Sequence, residues 1–345
     1  GIQMISFVND YSEGACEEIL ERLAASNHEQ SAGYGLDPYC ERAAEKTRQA
    51  IECDDCDVHF LVGGTQCNKT VIAAALRPHE AVICAESGHI NVHECGAVEN
   101  SGHKVLYAPS ADGRLQCADV EAILAKHTDE HMVKPAMVYV SDATEIGTFY
   151  TYAQLKALSE CCHAHGLYLF LDGARLGNAL CAEGNDLTLP QLAQLCDVFY
   201  IGGTKNGALF GEALVIVNDA LKPDFRYHIK QNGAMLAKGR LLGIQFDVLM
   251  EGDRYLRLAA HANAMAQKIA KVLKECEIPF LIESKTNQIF PILPDALLAR
   301  LRERFVIADW ERVDATHTAV RIVTSWDTQE AAAEELCRAL RAFTQ

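Results

Sequence analysis

Apolar residues in this chain fall into short continuous runs, each closed by glycine or a polar turn and each followed by a stretch with helical spacing. Residues 58–62, 81–85, 137–140, 167–171, 197–201 and 213–217 read as buried strands, because a parallel sheet covered on both faces shows unbroken apolar runs rather than alternation. Between them residues 66–76, 119–126 and 153–165 carry helical periodicity, and this order predicts an α/β fold with a doubly wound, mainly parallel sheet. After 217 the pattern turns helical, with a long region over 241–276 broken near Gly252. Strands at 279–282, 288–293 and 319–323 and helices at 295–304 and 328–343 then form a smaller α+β lobe. Ahead of the sheet, residues 1–45 are too few for a core and should lie across another surface, with a helix at 16–25 and a second opened by Asp37-Pro38. The expected division is an N-terminal arm (1–45), a large domain (46–240) and a small C-terminal domain (241–345).

Two of the apolar runs end on a chemical pair. Leu167-Tyr-Leu-Phe-Leu171 closes with Asp172-Gly-Ala-Arg175, and Asp197-Val-Phe-Tyr-Ile201 closes with Gly202-Gly-Thr-Lys-Asn-Gly207. Singly, an Asp-Gly after a strand is a turn and a Lys after glycines is solvated. Together, at the carboxyl ends of neighbouring runs, where open α/β sheets collect their ligands, they suggest a cofactor site. A carboxylate that keeps a pyridinium nitrogen protonated and a lysine able to form a Schiff base are the two protein groups that pyridoxal phosphate needs. Gly63-Gly64-Thr65 opens the helix at 66 with a glycine turn, a seat for an anion that lacks Walker or Rossmann spacing. His89 lies nearest the end of the 81–85 strand and is the better placed histidine of its loop.

Composition narrows the partners. The 345 residues allow two lobes, and a net charge of −16 argues against nucleic acid and anionic membranes, which demand clustered Lys and Arg. No apolar run reaches about 18 residues and no signal-peptide pattern opens the chain, so nothing is expected to span a bilayer. The Gly1-Ile2-Gln3 lead before Met4 reads as an appended remnant. The fourteen cysteines, Cys84, Cys117, Cys181 and Cys196 among them, read as reduced packing residues of a cytoplasmic enzyme. Cys53-Asp-Asp-Cys56 has the spacing of half a zinc site, yet no second pair follows, and no metal is expected.

With these motifs assembled, the chain resembles the low-specificity threonine aldolase group of the β-eliminating lyase family, pyridoxal-phosphate enzymes of fold type I. The resemblance rests on Tyr34-Gly-Leu-Asp-Pro38, Gly63-Gly-Thr-Gln-Cys-Asn68, the His89 loop, Leu171-Asp-Gly-Ala-Arg-Leu176, Gly203-Thr-Lys-Asn-Gly207 and Val320-Arg-Ile-Val-Thr324. It implies a seven-stranded sheet in the large domain, and pyridoxal 5'-phosphate held covalently by Lys205 with Asp172 on its ring nitrogen. It also implies Arg175 near the phenolic oxygen, Gly64, Thr65 and Thr204 at the cofactor, His89 stacked on the ring, and Arg321 forked onto an amino acid's α-carboxylate. The segments around Tyr34 and the basic loop around Lys230 match stretches that reach a neighbouring subunit, which implies a dimer or a dimer of dimers.

The chain departs from that pattern at two places near the substrate. Asn9-Asp10-Tyr11 stands where the aldolases carry Ser-Asp-Thr. Ser141-Asp-Ala-Thr-Glu145 stands where they carry the histidine associated with the β-hydroxyl, so Asn9, Tyr34 and Glu145 join Arg175 and Arg321 as expected substrate residues. The expected reaction is cleavage of a β-hydroxy-α-amino acid to glycine and an aldehyde. β-Elimination or other Cα chemistry remains open, because the pocket chooses among the bonds to Cα. A non-catalytic scaffold is the reading from another class, and intact Lys205 and Asp172 speak against it.

Overall fold

The computed structural model describes residues 3–345, so Gly1 and Ile2 of the expected remnant lie outside the described residues. The chain opens with β1 (Ile5–Ser6), α1 (Glu17–Ala25) and α2 (Pro38–Ala50). The sheet-forming stretch follows as β2 (Asp57–Leu61), α3 (Gly64–Ala75), β3 (Glu80–Ala85), the short α4 (His89–Val92) and α5 (Ala97–Asn100), β4 (Val105–Ala108), α6 (Cys117–Leu124) and β5 (Lys134–Ser141). It continues with α7 (Tyr152–Ala164), β6 (Tyr168–Asp172), α8 (Leu176–Leu180), α9 (Leu189–Leu195), β7 (Val198–Gly202) and β8 (Glu212–Ile216). Next come α10 (Phe225–Gln231), α11 (Arg240–Leu249), α12 (Arg254–Glu275), β9 (Phe280–Ile282) and β10 (Gln288–Pro294). The last elements are α13 (Asp295–Leu301), β11 (Phe305–Val306), β12 (Ala308–Arg312), β13 (His317–Val323) and α14 (Glu330–Phe343).

The large sheet has seven strands in the order β2-β8-β7-β6-β5-β3-β4. β3 through β7 pair in parallel, while β8 runs antiparallel to both β7 and β2. The unbroken apolar runs are explained by burial on both faces: every residue of β7 and β8 is buried. Because β8 runs against its neighbours, its first residue lies beside their last ones, and Glu212 pairs with both Leu61 and Gly202. On the next pair Ser141 stands opposite Asp172. One edge of the sheet therefore gathers polar groups from three strands, β5, β6 and β8.

Sequence-encoded caps fix the helix starts. Asp37 accepts from the Cys40 N–H at 2.9 Å with Pro38 in the first turn of α2, and Thr151 and Gln154 form a capping box on α7. α11 packs on α2 and sends Phe246, Val248 and Leu249 into the large core. α12 begins in that core at Tyr255 and ends in a second one at Met265, Ile269 and Leu273. That second core lies under an antiparallel sheet of order β12-β13-β10-β9, and it includes Phe7, because β1 pairs in parallel with β11.

The structure corrects three expectations. The cysteines are not all reduced: Cys53 bonds to Cys56 and Cys117 to Cys161, each pair with its Cα atoms 5.7 Å apart, whereas Cys84, Cys181 and Cys196 are free. The contact of α6 with α7 brings Cys117 and Cys161 together across 44 residues, a proximity that linear spacing does not reveal. The basic segment at Lys230 is not a loop but the last turn of α10. β11 and β12 were unexpected, since β12 is an exposed edge rich in charge and has no apolar run to announce it.

Candidate active site

The polar edge of the sheet opens into a cleft of about 230 Å³ whose wall includes Gly64, Thr65, His89, Glu94, Ser141, Glu145, Asp172, Arg175, Thr204, Lys205 and Glu212. Of the residues singled out from the sequence it brings together eight: Gly64, Thr65, His89, Glu145, Asp172, Arg175, Thr204 and Lys205. Asn9, Tyr34 and Arg321 stand outside that wall.

Asp172 is held rigidly. Its Oδ1 accepts from the Ala174 N–H at 3.0 Å, and its Oδ2 accepts from Asn68 Nδ2 at 3.2 Å and from the Tyr139 hydroxyl. Three donors on one carboxylate fix its direction. Asn68 also donates to Glu94 Oε2 at 2.8 Å, and the same oxygen takes a 2.6 Å bond from His89 Nδ1. Burial pulls the His89 imidazolium down, but the bond to Glu94 and the nearby carboxylates of Asp172, Glu94 and Glu145 outweigh it, so its pKa is raised. Glu145 Oε1 accepts from the His89 N–H at 3.1 Å and from Ser141 Oγ at 2.6 Å, and burial raises the pKa of this carboxyl.

Lys205 faces the opposite pull. Burial and the Arg175 guanidinium depress its pKa against the carboxylates of Asp10, Asp172 and Glu212, which raises the share of neutral amine able to attack a carbonyl. Its turn is fastened by Glu212, whose Oε1 accepts from Thr204 Oγ at 2.9 Å and whose Oε2 accepts from the Gly203 N–H at 3.2 Å. Thr204 lines the cleft but gives its hydroxyl proton to Glu212 and accepts from the Gly211 N–H at 3.0 Å. Burial pushes the Glu212 carboxyl up to about 8.

Arg175 is gripped twice by Asp10, Nε to Oδ2 at 2.7 Å and Nη2 to Oδ1 at 3.1 Å, and Asp10 also accepts from Asn287 Nδ2 at 3.0 Å. Burial would raise the Asp10 pKa, but Arg175 and Lys205 outweigh it and hold the carboxyl at about 2. Its neighbour Asn9 turns inward on its own loop, accepting from the Tyr11 N–H and Ser12 Oγ, both at 2.8 Å. Arg321 donates to Gln288 Oε1 and to the Val8 carbonyl, both at 3.2 Å, and burial together with the Arg175 charge lowers its pKa. Tyr34 lines a separate cavity of about 350 Å³ beside Gly239 and Arg226.

Sequence reasoning passed over Glu94, Asn68, Tyr139 and Glu212. Glu212 carried a readable signal, a lone carboxylate between glycine and an unbroken buried run, Gly211-Glu-Ala-Leu-Val-Ile216. Tyr139 carried none, since one aromatic inside an apolar strand is ordinarily core.

The residues present fit pyridoxal phosphate. α3 starts at Gly64 without a side-chain cap, so its free N–H groups and dipole form an anion seat in the cleft wall. A Cβ at Gly64 would stand 3.0 Å from Tyr200 Oη, a buried hydroxyl with no partner among the described residues, so the glycine keeps that approach open. A fixed carboxylate and an amine of depressed pKa share the remaining wall.

The model of the β-eliminating lyase family matches residues 7–296. The low-specificity L-threonine aldolase of Pseudomonas sp. (strain NCIMB 10558) is 35% identical over 99% of this chain and 98% of its own length, and that of Pseudomonas aeruginosa is 34% identical over 97% and 96%. The solved threonine aldolase of Leishmania major superposes with a TM-score of 0.98 at 48% identity, covering 99% of this chain and 100% of that one. An aspartate aminotransferase of Thermus thermophilus, 15% identical with a TM-score of 0.71 over 100% of this chain and 92% of that one, shares the fold alone. The architecture is fold type I.

Proposed function

The chain belongs to the β-eliminating lyase family, and on that premise we propose that it is a pyridoxal-phosphate-dependent aldolase cleaving a threonine-like β-hydroxy-α-amino acid to glycine and an aldehyde. The observation that carries this is Lys205, with its depressed pKa, in one cleft with the fixed carboxylate of Asp172 and the uncapped start of α3. Bound pyridoxal phosphate supplies a ring that accepts electrons from bonds at an amino acid's Cα. Lys205 would hold the cofactor covalently, Asp172 would keep a proton on its ring nitrogen, and His89 would pack against its ring. Gly64 and Thr65, at the start of α3, would hold its phosphate, and Thr204 would join the cofactor's surroundings from the turn that carries Lys205. Arg321 keeps a second N–H on each terminal nitrogen and offers a planar fork to the α-carboxylate.

Cleavage needs a base for the β-hydroxyl, and we assign that proton to Glu145. Both donors it meets, the His89 backbone N–H and the Ser141 hydroxyl, fall on Oε1, and the upward shift that burial gives its pKa makes the carboxylate a stronger proton acceptor. Asn9 and Tyr34 complete the substrate surroundings, Tyr34 from a neighbouring subunit. The working form is a homo-oligomer, a dimer or a dimer of dimers, in the cytoplasm, divided as 1–45, 46–240 and 241–345. No helix among the described residues is long and apolar enough to cross a membrane.

The test is a panel of β-hydroxy amino acids with products identified by mass spectrometry. Glycine with the matching aldehyde supports the reading; a keto acid with ammonia would assign β-elimination instead, the alternative raised by Glu145 standing where the related aldolases carry histidine.

A further inference from the structure

Away from the cleft, two packed helices present a set of side chains with no role in the chemistry above. Cys117 and Glu121 lie four residues apart on α6; Cys161 and His165 lie four residues apart on α7 and its C-terminal cap. Spacing of four puts each pair on one helix face. Cys117, Glu121 and Cys161 bring one ligand atom each to within 4.8 Å of one another, and His165 Nε2 lies 3.6 Å from Glu121 Oε2. Cys161 is buried, while the side chains of Glu121 and His165 are 56% and 36% exposed, so an ion can reach the cluster from solvent.

The two sulfurs are joined, which accounts for the cysteines but not for their company. A bridged sulfur has no proton to give, so the 3.2 Å approach of Cys117 Sγ to Glu121 Oε1 has no explanation in the bridge. Nor does a disulfide require an imidazole beside that carboxylate. Two thiolates, an imidazole and a carboxylate are, by contrast, a four-coordinate donor set of the kind zinc takes, with bonds of about 2.0–2.3 Å.

We propose that the reduced Cys117 and Cys161 thiolates, with Glu121 and His165, form a site for a thiophilic divalent cation such as zinc, clamping α6 to α7. Opening the bridge takes two electrons, which a phosphine gives as it becomes the phosphine oxide, water supplying the oxygen and the two thiol protons. The metal then displaces those two protons. Disulfide and metal are alternative ways of closing the same contact, chosen by the redox state of the surroundings.

The test uses the whole chain in a Cys53→Ser/Cys56→Ser background, which removes the other closely spaced pair. Under argon, phosphine-reduced and oxidised samples are titrated with Co²⁺, then with Zn²⁺ in competition, reading the long-wavelength bands of tetrahedral cobalt and the thiolate charge-transfer band. One cobalt per chain in the reduced sample and none in the oxidised one is expected. Glu121→Ala and His165→Ala, surface changes that leave the fold intact, should each weaken binding about tenfold or more. Cys117→Ser/Cys161→Ser should abolish the bands, and zinc should raise the melting temperature of the reduced parent but not of that variant. Absence of the bands from the reduced parent, their survival in Cys117→Ser/Cys161→Ser, or unchanged affinity in both single variants would overturn the site.

Discussion

At Asp10 three parts of the chain meet: its own N-terminal loop, Arg175 of the large lobe and Asn287 of the small one. Replacing it with Asn leaves the buried Arg175 guanidinium without its counter-charge, and a loss of about 3–5 kcal/mol is expected in a denaturant titration. Because the folded pKa of Asp10 lies near 2 and below its ordinary 3.8, its contribution is present above about 4 and lost as pH falls through 2; the variant should lack this acid-limb decline. Glu212 runs the other way. Its folded pKa of about 8 exceeds its ordinary 4.5, so its contribution is full below 4.5 and is lost as pH climbs through 8. Melting temperatures from pH 5 to 9 should therefore fall less in Glu212→Gln than in the parent, whatever the offset between them. Glu145→Gln should cut kcat by about 10²–10⁴-fold with little change in cofactor absorbance; a parent-like kcat would move the base elsewhere. Asp172 and Lys205 were legible because each closes a continuous apolar run. Asp10 was not: the loop is irregular, no periodicity says which of Asn9 and Asp10 faces inward, and the inward one proved to be the neighbour of the residue chosen.

The elements that could be read were those buried on both sides. β3 and β5 through β8 appear in the sequence as unbroken runs because neither face of the sheet sees water, and the capping box of α7 and the Asp37-Pro38 start of α2 mark their own boundaries. β1 and β11 are two residues each and carry no period at all, so their pairing emerges only from the structure. That pairing makes the first strand part of the small lobe, and Phe7, 1% exposed, fills its core beside Phe305. Phe7→Ala should cost about 3–5 kcal/mol, since the removed ring leaves a cavity among Ile289, Ile322 and their neighbours. Thermal unfolding should show the loss. A shift under about 1 kcal/mol would mean that the strand frays without consequence to the lobe.

For the whole molecule the position of Tyr34 is decisive. Its backbone is pinned, with the N–H donating to the Ala237 carbonyl at 3.1 Å and the carbonyl accepting from Arg226 Nη2 at 3.1 Å, while Lys230 Nζ lies 5.2 Å from the ring centroid. So held, Tyr34 lines a cavity other than the one holding Lys205, and a role for it in catalysis must be played in the cleft of another chain. Around it Leu36 and Tyr227 are 66% and 77% exposed, large side chains of a kind that interfaces cover. A two-fold arrangement would set the same patch of each chain against the other and give two equivalent clefts. Tyr34→Ala and Lys205→Ala chains should each be inactive alone, one lacking the reaching side chain and the other the amine. In a mixed dimer one cleft would combine the intact Tyr34 of one chain with the intact Lys205 of the other, so mixing should restore up to about a quarter of parent activity, half of the chains pairing unlike and each such pair holding one whole cleft. Light scattering would establish the dimer, and labelled chains would establish that exchange took place. Full exchange without recovered turnover, or an active monomer at assay concentration, would return Tyr34 to its own chain and leave the cleft complete within a single subunit.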